Sequence, residues 1–209
     1  MKSRTISWAL ALGVALAFAN FVAVATALDD YVAEVDPNYS YVHQDTRIGE
    51  GYTIFSVAMT SLKWRDLAEV DRVLWTHEVL ISVPWIPHSG NQHTALIFVE
   101  GGDNNDGSST EYDDLLGVLS VATGSVAAMV RQIPNQPLHF SDEARFRSED
   151  AILAYGMDKY LLTRDPEWLA HLPMTKAVVR ALDTVQDFAD ESDVGWPVLP
   201  RMRCFRNQG

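Results

Sequence analysis

TALIFVEGGDNNDGSSTEYDDLLGVLSVATGSVAAMV, residues 94–130, decides the fold. Its two ends, TALIFV at 94–99 and GSVAAMV at 124–130, are apolar at nearly every position, the pattern of strands covered on both faces. Between them, residues 112–123 space Leu115, Leu116, Leu119 and Ala122 as a helix would. Strand, helix, strand is a βαβ unit, so the two strands are predicted to lie parallel.

Upstream, YTIFSVAM at 52–59 alternates Phe55, Val57 and Met59 with Ile54, Ser56 and Ala58, and a second strand runs through 75–83 to Pro84. The two suit an antiparallel edge or hairpin. Residues 28–51 are polar, hold Pro37 and show no sustained period, so they read as an extended lead-in. Downstream, residues 150–162 read as a helix with Ser148 as N-cap. Glu149 and Asp150 favour its dipole, and Leu153, Met157, Tyr160 and Leu161 share one face. TRDP at 163–166 ends it. A last helix opens at Pro173 and repeats apolar residues at Met174, Ala177, Val178, Ala181, Leu182, Val185 and Phe188. The architecture is α/β.

The first 27 residues have the layout of a secretory signal: Lys2 and Arg4, an apolar run over 8–19, and Ala25-Thr26-Ala27 as a small-x-small cleavage pattern. The alternative is an uncleaved anchor, since ~20 apolar residues suffice to cross a bilayer. Removing Lys2 and Arg4 takes the net charge from −12 to −14, because every acidic residue lies further on. Such a surface repels phosphate backbones and anionic lipid headgroups. A small molecule or a protein is the expected partner, with no nucleic acid and no stable membrane insertion once the signal is cut. The only cysteine, Cys204, has no internal disulfide partner. Asn38-Tyr39-Ser40 is a glycosylation sequon if the source is eukaryotic.

IPNQPL at 133–138, SED at 148–150, DPEW at 165–168 and LPMTK at 172–176 resemble the PhoPQ-activated pathogenicity-related family. LDDY at 28–31, Trp64-Arg65, AEVDR at 68–72 and EGG at 100–102 are similar to the same family, in the same order. The resemblance implies a secreted α/β-hydrolase-like fold over residues 28–188. Family members continue into a strand and a Gly-x-Ser-Lys-Arg-Gly-type turn that would carry the nucleophile. Residues 189–209 form a divergent tail that does not match this turn, so no catalytic serine, acid or histidine carries over. Three readings follow: a truncated form without independent activity, a secreted binding or signalling protein of the same fold, and the N-terminal half of a secreted serine hydrolase.

Within that resemblance, Gly101, Gly102 and Asp103 follow a buried strand, where hydrolases place a glycine loop whose N–H groups help form the oxyanion hole. A plain strand-to-helix turn is the alternative. DNNDGS at 103–108 lacks the ligand spacing of a calcium loop, and the six histidines read as surface residues without zinc spacing. No pattern calls for a cofactor. Arg131, Gln132, Asn135 and Gln136 sit on the rim where parallel sheets bind ligands, or else anchor a loop by hydrogen bonds. Ser125 precedes a strand and lacks the flanking glycines of a nucleophile elbow. With the elbow unmatched, the helix at 174–188 is expected to leave part of its apolar face bare.

Overall fold

The computed structural model describes residues 25–91 and 93–191. The apolar run before residue 25 and the tail with Cys204 lie outside the described residues. Five strands form one sheet: β1 (Ser40–Ile48), β2 (Tyr52–Lys63), β3 (Leu74–Pro84), β4 (Ala95–Val99) and β5 (Val126–Val130). Their spatial order is β1-β2-β3-β5-β4. A short ribbon pairs β6 (Leu138–His139) with β7 (Phe146–Arg147). The helices are α1 (Ala27–Ala33), α2 (Asp113–Thr123), α3 (Asp150–Thr163) and α4 (His171–Glu191).

β4 and β5 run parallel, Ala95 opposite Val126 and Val99 opposite Val130, as the stretch at 94–130 requires. β2 and β3 are antiparallel neighbours, and β3 also pairs antiparallel with β5, so this hairpin reaches the middle of the sheet. Alternation then sorts side chains onto two faces. Val57, Val79, Ile81, Ala128 and Val130 pack with Ala177, Ala181 and Val185 of α4. Ile54, Leu80, Ala127 and Met129 face the other way, against Leu116 of α2. The result is a mixed α/β layering with a helix on each face.

Several expectations need correction. The lead-in at 28–51 holds α1 and β1. Thr26 and Asp29 form a capping box for α1. Among the described residues β1 pairs only with β2, and it is bulged between His43 and Asp45, so most of its residues meet solvent and it carries no hydrophobic alternation. β4 is not covered on both faces by described residues: it is the sheet's edge, with Leu96 43 % and Val99 49 % exposed.

The helical spacings hold but two faces are rotated. α2 buries Leu116, Gly117 and Ser120 and leaves Leu115 in solvent. α3 buries Ile152, Tyr155 and Gly156, while Met157 and Leu161 are exposed. An aromatic cluster sets this second rotation: Tyr155 stacks on Phe140 with centroids 3.7 Å apart, and Trp168 packs edge-on to Tyr155. Gly156 permits the approach, since a Cβ there would lie 2.2 Å from the Trp168 carbonyl oxygen. Glu149, not Ser148, is the α3 N-cap residue. α4 begins at His171, two residues before Pro173. Its apolar stripe is not bare, because Ala177, Ala181 and Val185 cover β2 and its neighbours.

Candidate functional site

β5 inserts between β3 and β4, so the chain crosses over at the carboxyl ends of the two parallel strands. Open α/β sheets bind ligands at such a switch point. Three backbone bonds carry the pairing past the strand ends. Glu100 N–H donates to the Val130 carbonyl (2.8 Å), Gln132 N–H to the Gly101 carbonyl (2.7 Å) and Ile133 N–H to the Glu100 carbonyl (3.1 Å). They occupy carbonyls and leave the Gly101 and Gly102 N–H groups without a hydrogen-bond partner among the described residues.

Gly102 sits at φ +114°, which glycine adopts and side chains resist. Asp103 closes the turn on itself. Its Oδ1 accepts from the Asn105 N–H and Nδ2, both at 2.7 Å, and its own N–H donates to Asp106 Oδ2 at 2.8 Å. The Asp103 carboxylate therefore shapes the loop.

A buried charge holds this loop from below. Glu78 on β3 accepts from Ser56 Oγ (3.0 Å), Ser108 Oγ (2.5 Å), Ser109 N–H (3.3 Å) and Arg131 Nη1 (2.7 Å). Both Glu78 and Arg131 are buried. Such a pair persists only where further hydrogen bonds satisfy it, as three further donors do here for Glu78. Arg131 also reaches the Gly107 carbonyl at 3.4 Å. Gln132 Oε1 accepts from the Glu78 N–H at 2.8 Å, and Asn135 Nδ2 donates to the Thr76 carbonyl at 2.6 Å. All four rim residues are buried anchors of loops.

Two non-glycine residues with positive φ converge on the glycines: Gln132 at 61° and Glu149 at 50°. Glu149 exchanges two bonds with Gln136, its N–H donating to Oε1 (2.6 Å) and its Oε1 accepting from Nε2 (2.5 Å). A Cβ on Gly101 would lie 3.5 Å from that same Glu149 Oε1. Strain of this kind gathers where a site is held in a fixed shape.

A second arrangement escaped the sequence reading, which took the histidines for surface residues. His77 is 4 % exposed, and its Nε2 lies 2.9 Å from Ser61 Oγ. Its Nδ1 lies 3.1 Å from the Arg131 carbonyl oxygen, which can only accept, so Nδ1 carries the proton and Nε2 accepts from the serine. Burial drives His77 down to about 4, against hydrogen bonds to the Arg131 and Gln132 backbone that favour the charged form. A Ser–His pair with this tautomer has the geometry of a nucleophile and its base. Ser61 is 0 % exposed, so no substrate reaches it.

The remaining candidates lie apart. Asn38 is half-buried before β1, its Nδ2 donating to Asp36 Oδ1 at 2.9 Å. Ser125 is buried, its Oγ 2.8 Å from Thr123 Oγ1.

Fold and rim together define a mixed α/β protein with an anchored double-glycine loop at the carboxyl ends of its parallel strands. The chain belongs to the family of PhoPQ-activated pathogenicity-related proteins, which it matches over residues 28–196. It is 38 % identical over 167 residues to the autocrine proliferation repressor protein A of Dictyostelium discoideum. The match covers 78 % of this chain and 33 % of that protein, so the chain spans about a third of the length of the curated relative it matches. No solved structure matches it.

Proposed function

We propose that this chain is a secreted, α/β-hydrolase-like member of its family whose double-glycine loop receives a carbonyl or oxyanion, and that it does not hydrolyse esters by itself. One observation carries the reading. On an anchored loop, the Gly101 and Gly102 N–H groups have no hydrogen-bond partner among the described residues, while the hydrogen-bonded pair of Ser61 and His77 is sealed inside. Acyl transfer needs donors, nucleophile and base around one accessible point. The described residues supply these in two separate places. The basic start, apolar run and Ala25-x-Ala27 support export.

Protein recovered from culture medium should begin at or near Leu28, and intact Met1 in a membrane fraction would refute export. The same protein should take up no fluorophosphonate and turn over no simple ester. Stoichiometric labelling, abolished by substituting one serine, would establish catalysis in this chain instead. Recognition without catalysis is the second reading, favoured by a relative named for autocrine repression of proliferation. It predicts saturable binding to cells by a protein that stays silent toward the probe.

A further inference from the structure

Lys176, in the second turn of α4, is 3 % exposed, yet its ammonium makes no hydrogen bond or ion pair with any described residue. Its close neighbour is the Tyr31 ring of α1, 4.8 Å from Nζ to the centroid. Arg131 is comparably buried but has Glu78 beside it. A buried ammonium without a partner is costly, so its open side carries information. That side faces a cleft of about 780 Å³, within the size range of small-molecule sites.

Most polar groups on the cleft wall are already committed. Asp36 accepts from the Asn38 N–H and Nδ2 and from the Lys63 N–H, while Lys63 Nζ pairs with Asp66. Arg65 is held by Glu69 and Asp165, with the Glu167 carboxylate a longer 3.8 Å away. The Lys176 ammonium, the Tyr31 hydroxyl and the Glu34 carboxylate have no hydrogen-bond partner among the described residues. Burial lowers the Lys176 pKa, while the charges of Asp36, Glu34 and Glu167 act to raise it. A simple anion approaching Lys176 would therefore meet the carboxylates of Glu34, Asp36 and Glu167, and a simple cation would meet Lys176. A molecule carrying both charges answers both.

We propose that this cleft binds a small zwitterion of the amino-acid type, its carboxylate on Lys176 Nζ and its ammonium toward Glu34 and Glu167. Nothing in this proposal depends on the double-glycine loop. The test is calorimetry on the full secreted chain with alanine, and with acetate, methylammonium and glycerol as separate controls. Alanine should bind saturably and raise the melting temperature, as any ligand specific for the folded state does, while the controls should not bind.

Lys176→Met keeps the length without the charge. It should raise the melting temperature of the free protein and abolish alanine binding. Glu34→Gln, at an exposed position, should leave the fold intact and weaken alanine at least several-fold. Absence of alanine binding would overturn the proposal, as would glycerol or acetate binding as well as alanine. So would a Lys176→Met protein that melts lower when free, which would make Lys176 a structural charge.

Discussion

Ser61 with His77, and Gly101 with Gly102, divide between them what a hydrolytic site needs in one place. The first pair has the right bond, the right tautomer and no access. The second has open N–H donors on a rim and no nucleophile hydrogen-bonded to a base beside it among the described residues. Arg131 touches both: its carbonyl holds the His77 proton, and its guanidinium reaches Glu78 and the loop. Chemistry is legible only where geometry and access coincide, and here one residue links them without uniting them.

The most damaging way to break this comparison is to remove that link. Arg131→Ala leaves the Glu78 carboxylate buried and unpaired, which should cost about 3–5 kcal/mol in chemical denaturation. Adding Glu78→Leu to it should recover much of the loss, because the stranded charge is then gone. If the double variant is no better than the single, the cost lies in packing and the ion pair is not what anchors the loop.

pH separates the two regions next. The His77 pKa in the folded chain is about 4, against 6.5 for the free side chain, so between these values the unfolded chain binds a proton that the folded chain refuses. Stability is therefore fully present above about 6.5 and falls as pH drops toward 4, by on the order of 3 kcal/mol for this group. His77→Gln, whose amide can keep both bonds but does not titrate, should flatten the melting-temperature profile across that window. An unchanged profile would place the acid sensitivity elsewhere.

The stretch at 94–130 was readable because two apolar parallel strands and a helix impose patterns confined to a few residues, although one of those strands is an exposed edge. Glu78 was not readable. A lone carboxylate in WTHEVLISVP looks like a solvent-facing position, and its burial depends on Arg131, 53 residues further on. β1 was missed because an edge strand with most residues in solvent has no hydrophobic period to show. The double glycine announced a turn but not its surroundings, since the strain at Gln132 and Glu149 exists only once β5 and α3 are in place. Lys176 figures in the sequence only as part of the family-like LPMTK stretch, because the ring that covers it comes from α1, a helix no local pattern announces.

A smaller effect sharpens the open side. Gly102→Ala forces a Cβ into φ +114°, 3.3 Å from Asp106 Oδ2, and should cost about 1–2 kcal/mol. The carboxylate can shift, so most of the cost is backbone strain. Amide exchange should quicken in residues 100–109 while the protection of β2 and β3 stays as it was. A uniform loss across the sheet would mean that the loop is part of the folding core.

The smallest effect tests the sealed side. Ser61→Ala removes one buried hydroxyl that donates to His77 Nε2 and leaves that nitrogen with a lone pair and no donor. The loss should be about 1 kcal/mol, the usual range for one buried hydrogen bond. Fluorophosphonate labelling should be absent in both proteins, because the probe cannot enter a site whose serine is fully buried. His77 should become easier to protonate, since without the hydroxyl the small cavity beside Nε2 can admit water that solvates the imidazolium. The acid-side loss of stability should then be smaller and level off at a higher pH than in the wild type. A wild-type chain that labels at Ser61, with the label lost in Ser61→Ala, would show that the sheet opens in solution and that the two regions are halves of one working site.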